Sequence, residues 1–96
     1  MIQKTYFKTK DYCKVKFVLK PESAETVAIA GLNDDWKTLV AMKPKKDGSF
    51  FCEVSLPKNT QHQFKYLVNE NEWVTEPEAD SEERNCFGTV NSVLVL

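Results

Sequence analysis

Trp36, Trp73 and Lys65 are the residues whose types and spacing suggest chemistry. Lys65 lies in the stretch His62–Trp73, HQFKYLVNENEW. His62, Phe64, Tyr66 and Val68 alternate there with Gln63, Lys65 and Leu67, the period-2 pattern of a half-buried strand. Phe64 and Tyr66 mark the core side, so Lys65 points out of the opposite face. A cation on a strand face is ordinarily just solvated. Trp73, however, follows a short polar turn, Asn69–Glu72, and opens the next extended run. If Val68 and Trp73 flank a hairpin, Lys65 and the Trp73 indole share one surface. Residues 85–91, NCFGTVN, add an aromatic, a hydroxyl and an amide beside a glycine turn. A cation, aromatics and amides exposed on a flat sheet are the parts of a sugar-binding platform. The bland readings stand beside this one. Either tryptophan is equally at home in a core, Phe87 can plug the last turn, and Asn91 can bond its own backbone.

Other chemistries find no support. His62 is the single histidine, so no histidine pair exists. Glu76, Glu78, Asp80, Glu82 and Glu83 lack the ligand spacing and glycine of a calcium loop, and read as a solvated acidic segment. No CxxC pair suggests zinc. No phosphate-binding glycine loop or nucleophile motif is present. The expectation is a non-enzyme without cofactor or metal. A net charge of -1 argues against nucleic acid or an anionic membrane as partner. The start, MIQKTYFKTKDYCKVKF, has no apolar signal-peptide core, and no apolar run reaches membrane-spanning length. Cys13, Cys52 and Cys86 are then expected as reduced thiols in a cytoplasmic protein.

The elements that must position the candidate residues are strands. The 96 residues make one domain, 1–96, with 1–10 either a loose arm or a short strand built on Tyr6 and Phe7. Tyr12–Leu19 writes Cys13, Val15 and Phe17 inward and lysines outward. Glu25–Gly31 reads as a central strand, and Leu32–Lys37 as a loop carrying Trp36. Leu39–Met42 is a short strand, and Asp47-Gly48 marks the turn into Ser49–Leu56. Residues 76–85, EPEADSEERN, read as a surface loop, and Asn91–Leu96 as the last strand. Turn signals between short strands indicate an all-β, antiparallel sandwich of roughly seven to eight strands. Its core should hold Phe17, Val27, Ile29, Cys52, Val54, Phe64 and Tyr66.

The order of landmarks is VAIAGLNDDW, DGSFFCEVSLP, HQFKYLV, EWVTEP, FGTVNSVLVL. This resembles the glycogen-binding domain of the AMP-activated protein kinase beta subunit. More broadly it resembles carbohydrate-binding module family 48 and isoamylase N-terminal domains, over roughly residues 12–96. The resemblance implies an immunoglobulin-like, early-set β-sandwich that binds α-1,4-glucans such as glycogen or starch without catalysis. It places the sugar-binding set on Trp36, Lys65, Trp73, Phe87, Thr89 and Asn91, with Phe87 where the kinase domain has a leucine finger. Two departures accompany it. Asn33 stands where the family has an aromatic, and the turn before Trp73 is one residue longer and lacks a glycine. The resemblance implies an α-glucan partner. It leaves room for a protein-interaction module of the same fold, or for an accessory module beside a glucan-processing enzyme or a kinase-like partner.

Overall fold

A computed structural model describes residues 1–86 and 88–96, all with their side chains except Asp34. Among the described residues ten strands, more than the seven to eight expected, form two antiparallel sheets: β1 Ile2–Tyr6, β2 Tyr12–Leu19, β3 Val27–Ala30, β4 Val40–Ala41, β5 Lys43–Pro44, β6 Phe50–Pro57, β7 Gln61–Val68, β8 Glu72–Val74, β9 Ser81–Arg84 and β10 Val90–Val95. The first sheet runs β1-β2-β6-β5. The second runs β4-β3-β7-β10-β9, with β8 pairing the end of β7. The antiparallel sandwich expected from the alternation is the observed architecture. Among the described residues the only helical piece is a 3-10 turn, Leu32–Asp34.

The core lies between the sheets where the alternation places it. Phe17, Val27, Ile29, Cys52, Phe64 and Tyr66 are buried, and Val54 packs half-buried against them. Phe64 stands edge-on to Phe17 and Tyr66, with centroids at 5.2 and 5.8 Å. Such pairs add about 0.5–1.5 kcal/mol beyond their burial. Cys13 and Cys52 are buried free thiols, and Cys86 is an exposed one. Burial pushes the Cys52 thiol up to about 11.

Two segments differ from the sequence reading, and for a third the structure selects between its two alternatives. Residues 1–10 take the strand alternative and not the loose arm: β1 pairs β2 from Ile2↔Phe17 to Tyr6↔Cys13, although Phe7 lies beyond the strand. Leu39–Met42 is not one strand. Val40–Ala41 pairs β3 in the second sheet, Met42 is buried, and Lys43–Pro44 pairs β6 in the first. The chain thus crosses between sheets within five residues, Val40 to Pro44, and its two halves form the edges of both sheets on that side. Finally, the acidic segment 76–85 is not all surface loop. Ser81–Arg84 pairs β10 as an edge strand exposed at every position, so neither face carries an apolar signal.

Glu76, read as a solvated carboxylate, is 2% exposed. A buried charge persists only when paired and hydrogen-bonded. Its Oε1 accepts from the Tyr66 hydroxyl at 3.2 Å and pairs with the ammonium of Met1. Its own N–H donates to Ser92 Oγ at 2.7 Å. Desolvation, and then the neighbouring Glu76 carboxylate, raise the Tyr66 phenol well above its ordinary value.

Candidate functional site

Register explains why the candidate residues meet. In β7, Gln63, Lys65 and Leu67 face away from the core while Phe64 and Tyr66 face in. Residues paired directly across antiparallel strands share a face. Leu67↔Trp73 therefore puts the Trp73 indole on the Lys65 side. Val93↔Gln63 puts Val93 there too, and with it Asn91, two residues along β10.

The hairpin that carries Trp73 turns at Asn69 and Glu70, with φ 53° and 63°. Positive φ at both central positions is the type I′ arrangement, whose twist suits a hairpin. Asn71 N–H closes it onto the Val68 carbonyl at 3.2 Å. Asn69 takes the left-handed φ that a glycine would otherwise supply, and its Oδ1 accepts from the N–H groups of Glu25 and Thr26, at 2.7 and 3.3 Å.

Trp36 reaches the same face from the loop after β3. Gly31 has φ 104°, and a Cβ built on it would lie 2.7–2.8 Å from the Trp36 ring and 2.4 Å from the Gln63 carbonyl. The indole therefore rests on bare backbone. Gly31 N–H donates to the Asp35 carbonyl at 3.0 Å, which closes the loop. Asp35 Oδ1 accepts the N–H groups of Lys37 and Thr38 at 3.1 and 3.0 Å, bracketing Trp36. These bonds, Thr38 first, hold the Asp35 carboxyl below its ordinary value. Asn33, which stands where an aromatic was expected, takes a left-handed conformation at φ 58°. Its N–H donates to His62 Nδ1 at 3.1 Å. The His62 proton is thereby assigned to Nε2, which donates to Thr60 Oγ1 at 2.9 Å. The lone histidine is a buried loop support.

The result is one open cleft of about 750 Å³, lined by Trp36, Lys65, Trp73, Thr89 and Asn91 together with Thr75, Asn85, Cys86 and Val90. Trp36 and Trp73 are 39% and 49% exposed, large apolar rings left facing solvent. Lys65 Nζ donates to Thr89 Oγ1 at 3.0 Å. Asn91 lines the cleft but is 6% exposed, which departs from the expectation of an exposed group. Its Nδ2 donates to Gln63 Oε1 and its Oδ1 accepts from Asn85 Nδ2, both at 3.0 Å. Phe87 lies outside the described residues. The sequence reading did not single out Asn85 or Thr75. The available signal for Asn85 was its place four residues before Thr89, across the Gly88 turn. Among the described residues no group of three or more histidine, cysteine or acidic side chains is arranged to hold a metal.

The cleft can therefore stack flat apolar faces on two indoles and hydrogen-bond hydroxyls at one edge. Comparison with known proteins bears on what such a cleft serves. No curated protein matches the chain. Among solved structures, enterochelin esterase from Shigella flexneri shares the fold, with a TM-score of 0.76 at 11% identity over 98% of this chain. The enterobactin esterase of Shigella flexneri, in the presence of 2,3-dihydroxy-N-benzoylserine, gives 0.75 at 11% identity over 99%. The chain spans 32% of the length of each. At that identity the likeness is one of fold alone. The non-catalytic carbohydrate-binding family described as the glycogen recognition site of AMP-activated protein kinase matches residues 14–96, nearly the whole chain, and the chain belongs to that family.

Proposed function

We propose that this domain binds an α-1,4-glucan such as glycogen, without catalysis, in the cleft between Trp36 and Trp73. The observation that carries the reading is the convergence of Trp36, Trp73, Lys65, Thr89 and Asn91, from four separate parts of the chain, on one open cleft. Sugar rings present apolar C–H faces that stack on indoles, and a tryptophan supplies a rigid face at low entropic cost. Lys65 and Thr89 hydrogen-bond hydroxyls at the rim, and Asn91 completes the floor beneath them. Phe87 enters this set through the family resemblance. A shallow, solvent-open site offsets much of its gain with ordering and desolvation costs, so the affinity is modest.

The test is titration with maltoheptaose, read by intrinsic fluorescence. Both tryptophans of the chain line the cleft, so the signal reports the site itself. Binding should weaken by about 1–3 kcal/mol in Trp73→Ala, the scale of stacking a flat ring on an aromatic, with little change in melting temperature. Unchanged binding with a large loss of stability would overturn the reading. A second reading, an accessory module carried beside a catalytic unit, is favoured by one observation. The same sandwich makes up about a third of each esterase chain.

A further inference from the structure

The polar edge of the cleft is organised by the side chain of Asn85. Asn85 Nδ2 donates to Thr89 Oγ1 at 2.7 Å and to Asn91 Oδ1 at 3.0 Å. Asn85 Oδ1 accepts the Thr89 N–H at 3.2 Å, and the backbone N–H of Asn85 donates to the Thr89 carbonyl at 2.9 Å. Lys65 Nζ donates to the same Thr89 Oγ1 from the other side. A threonine hydroxyl has two lone pairs and one proton. Both lone pairs of Thr89 Oγ1 are taken by these donors, and the proton is what remains.

We propose that Asn85 is a positioning residue that makes Thr89 an obligate hydrogen-bond donor to the sugar. The proposal rests on the glucan reading above and deepens it. The ligand atom above Thr89 must then be an acceptor, a hydroxyl or glycosidic oxygen offering a lone pair. The Asn91 amide is turned by the same residue: with Asn85 donating to its Oδ1, its Nδ2 faces Gln63.

Asn85→Asp separates positioning from loop closure. The aspartate keeps an oxygen for the Thr89 N–H but has no N–H to give. The Thr89 proton then turns onto the carboxylate, a stronger acceptor than a sugar hydroxyl, and is lost to the ligand. The experiment titrates maltoheptaose into the unchanged domain, Asn85→Asp, Thr89→Val and the double variant, with melting temperatures alongside. The expected result is a loss of roughly three- to tenfold in each single variant, the worth of about one net hydrogen bond. The double variant should be no weaker than either, because both changes remove one donor. Asn85→Asp binding at full strength would overturn the proposal and leave the glucan reading intact. Losses that multiply in the double variant would also overturn it. The new carboxylate can also draw Lys65 away, so the comparison is repeated in Lys65→Met. An Asn85→Asp effect that vanishes there assigns the loss to Lys65 and again overturns the proposal. An unchanged domain that binds no maltoheptaose removes the glucan reading and this inference with it.

Discussion

Gly31→Ala tests how the Trp36 side of the cleft is built. The new methyl meets two obstacles. At φ 104° an L-residue is strained, at about 1–3 kcal/mol. The Cβ would also lie 2.4 Å from the Gln63 carbonyl oxygen and 2.7–2.8 Å from the Trp36 ring. Gln63 sits in the middle of β7, paired to Val93 of β10, so its carbonyl has little room to retreat. The indole is the softer neighbour, and it would swing off its seat. Overpacking of this kind costs about 1–3 kcal/mol, so the whole change should cost about 2–6 kcal/mol. For a domain of this size each kcal/mol moves the melting temperature by about 4–8 °C. The expected fall is therefore about 8–48 °C, read by far-ultraviolet circular dichroism. Glucan affinity, measured below the new transition, should fall, and the fall expected in Trp36→Ala is its reference. In a Trp36→Ala background the ring contacts vanish while the φ strain and the Gln63 carbonyl remain. Gly31→Ala should then be milder but still destabilising by about 1–3 kcal/mol. A Gly31→Ala protein that melts within about 2 °C of the parent, less than half a kcal/mol, would refute the close approach.

Phe64→Ala should destabilise by about 3–5 kcal/mol in urea denaturation, since the ring is fully buried between Phe17 and Tyr66. Glu70→Gly, at φ 63°, should raise the melting temperature by a few degrees, because it relieves about 1–2 kcal/mol of left-handed strain in a type I′ turn that favours Asn-Gly, against about 0.5–1 kcal/mol for the extra freedom glycine loses on folding. Iodoacetamide should alkylate Cys86 in the native protein and leave buried Cys13 and Cys52 untouched; bound maltoheptaose should slow the reaction because Cys86 lines the cleft, and equal rates with and without sugar would place the ligand elsewhere. Burial pushes the Asp80 carboxyl up, but the Lys4 ammonium and the Val95 N–H outweigh it and hold it below its ordinary value of 3.8. Its contribution is therefore present above about pH 4 and lost as the pH falls through the depressed value. Asp80→Asn should flatten the acid limb of the stability profile, seen as melting temperature against pH, and an unchanged acid limb would refute the assignment.

Much of the fold was legible because β2, β6 and β7 each bury one face and wet the other. Alternation therefore named their inward residues, and the register of β7 with β8 carried Trp73 to the Lys65 side. β9 left no such trace: Glu82, Glu83 and Arg84 are wet on both faces, and only the pairing with β10 makes them a strand. Glu76 was unreadable for another reason. A carboxylate in an acidic run looks solvated, and the groups that allow its burial, Tyr66 and the Met1 ammonium, are 10 and 75 residues away in the chain. The switch of sheets around Met42 hid inside one short apolar run. At the cleft, the aromatic and basic members were visible as types. Asn85 was not, because its work is hydrogen bonding across a four-residue turn, and asparagine in a turn ordinarily signals only the turn.

The crossover from β4 to β5 has a consequence for how copies of this domain meet. Sheet edges are templates for another strand, since their outer N–H and C=O groups are unpaired. Here the two edges on the crossover side are only two residues long each, and β5 ends in Pro44, which has no N–H to offer. At the far side, β9 presents Glu82, Glu83 and Arg84 along its length. Beside it, Lys4 of β1 bonds the Asp80 carboxylate and the Val95 carbonyl. Short, proline-ended or charged rims give an incoming strand almost nothing to zip against. Many copies gathered on one branched polymer would reach high local concentration and still touch as separate particles.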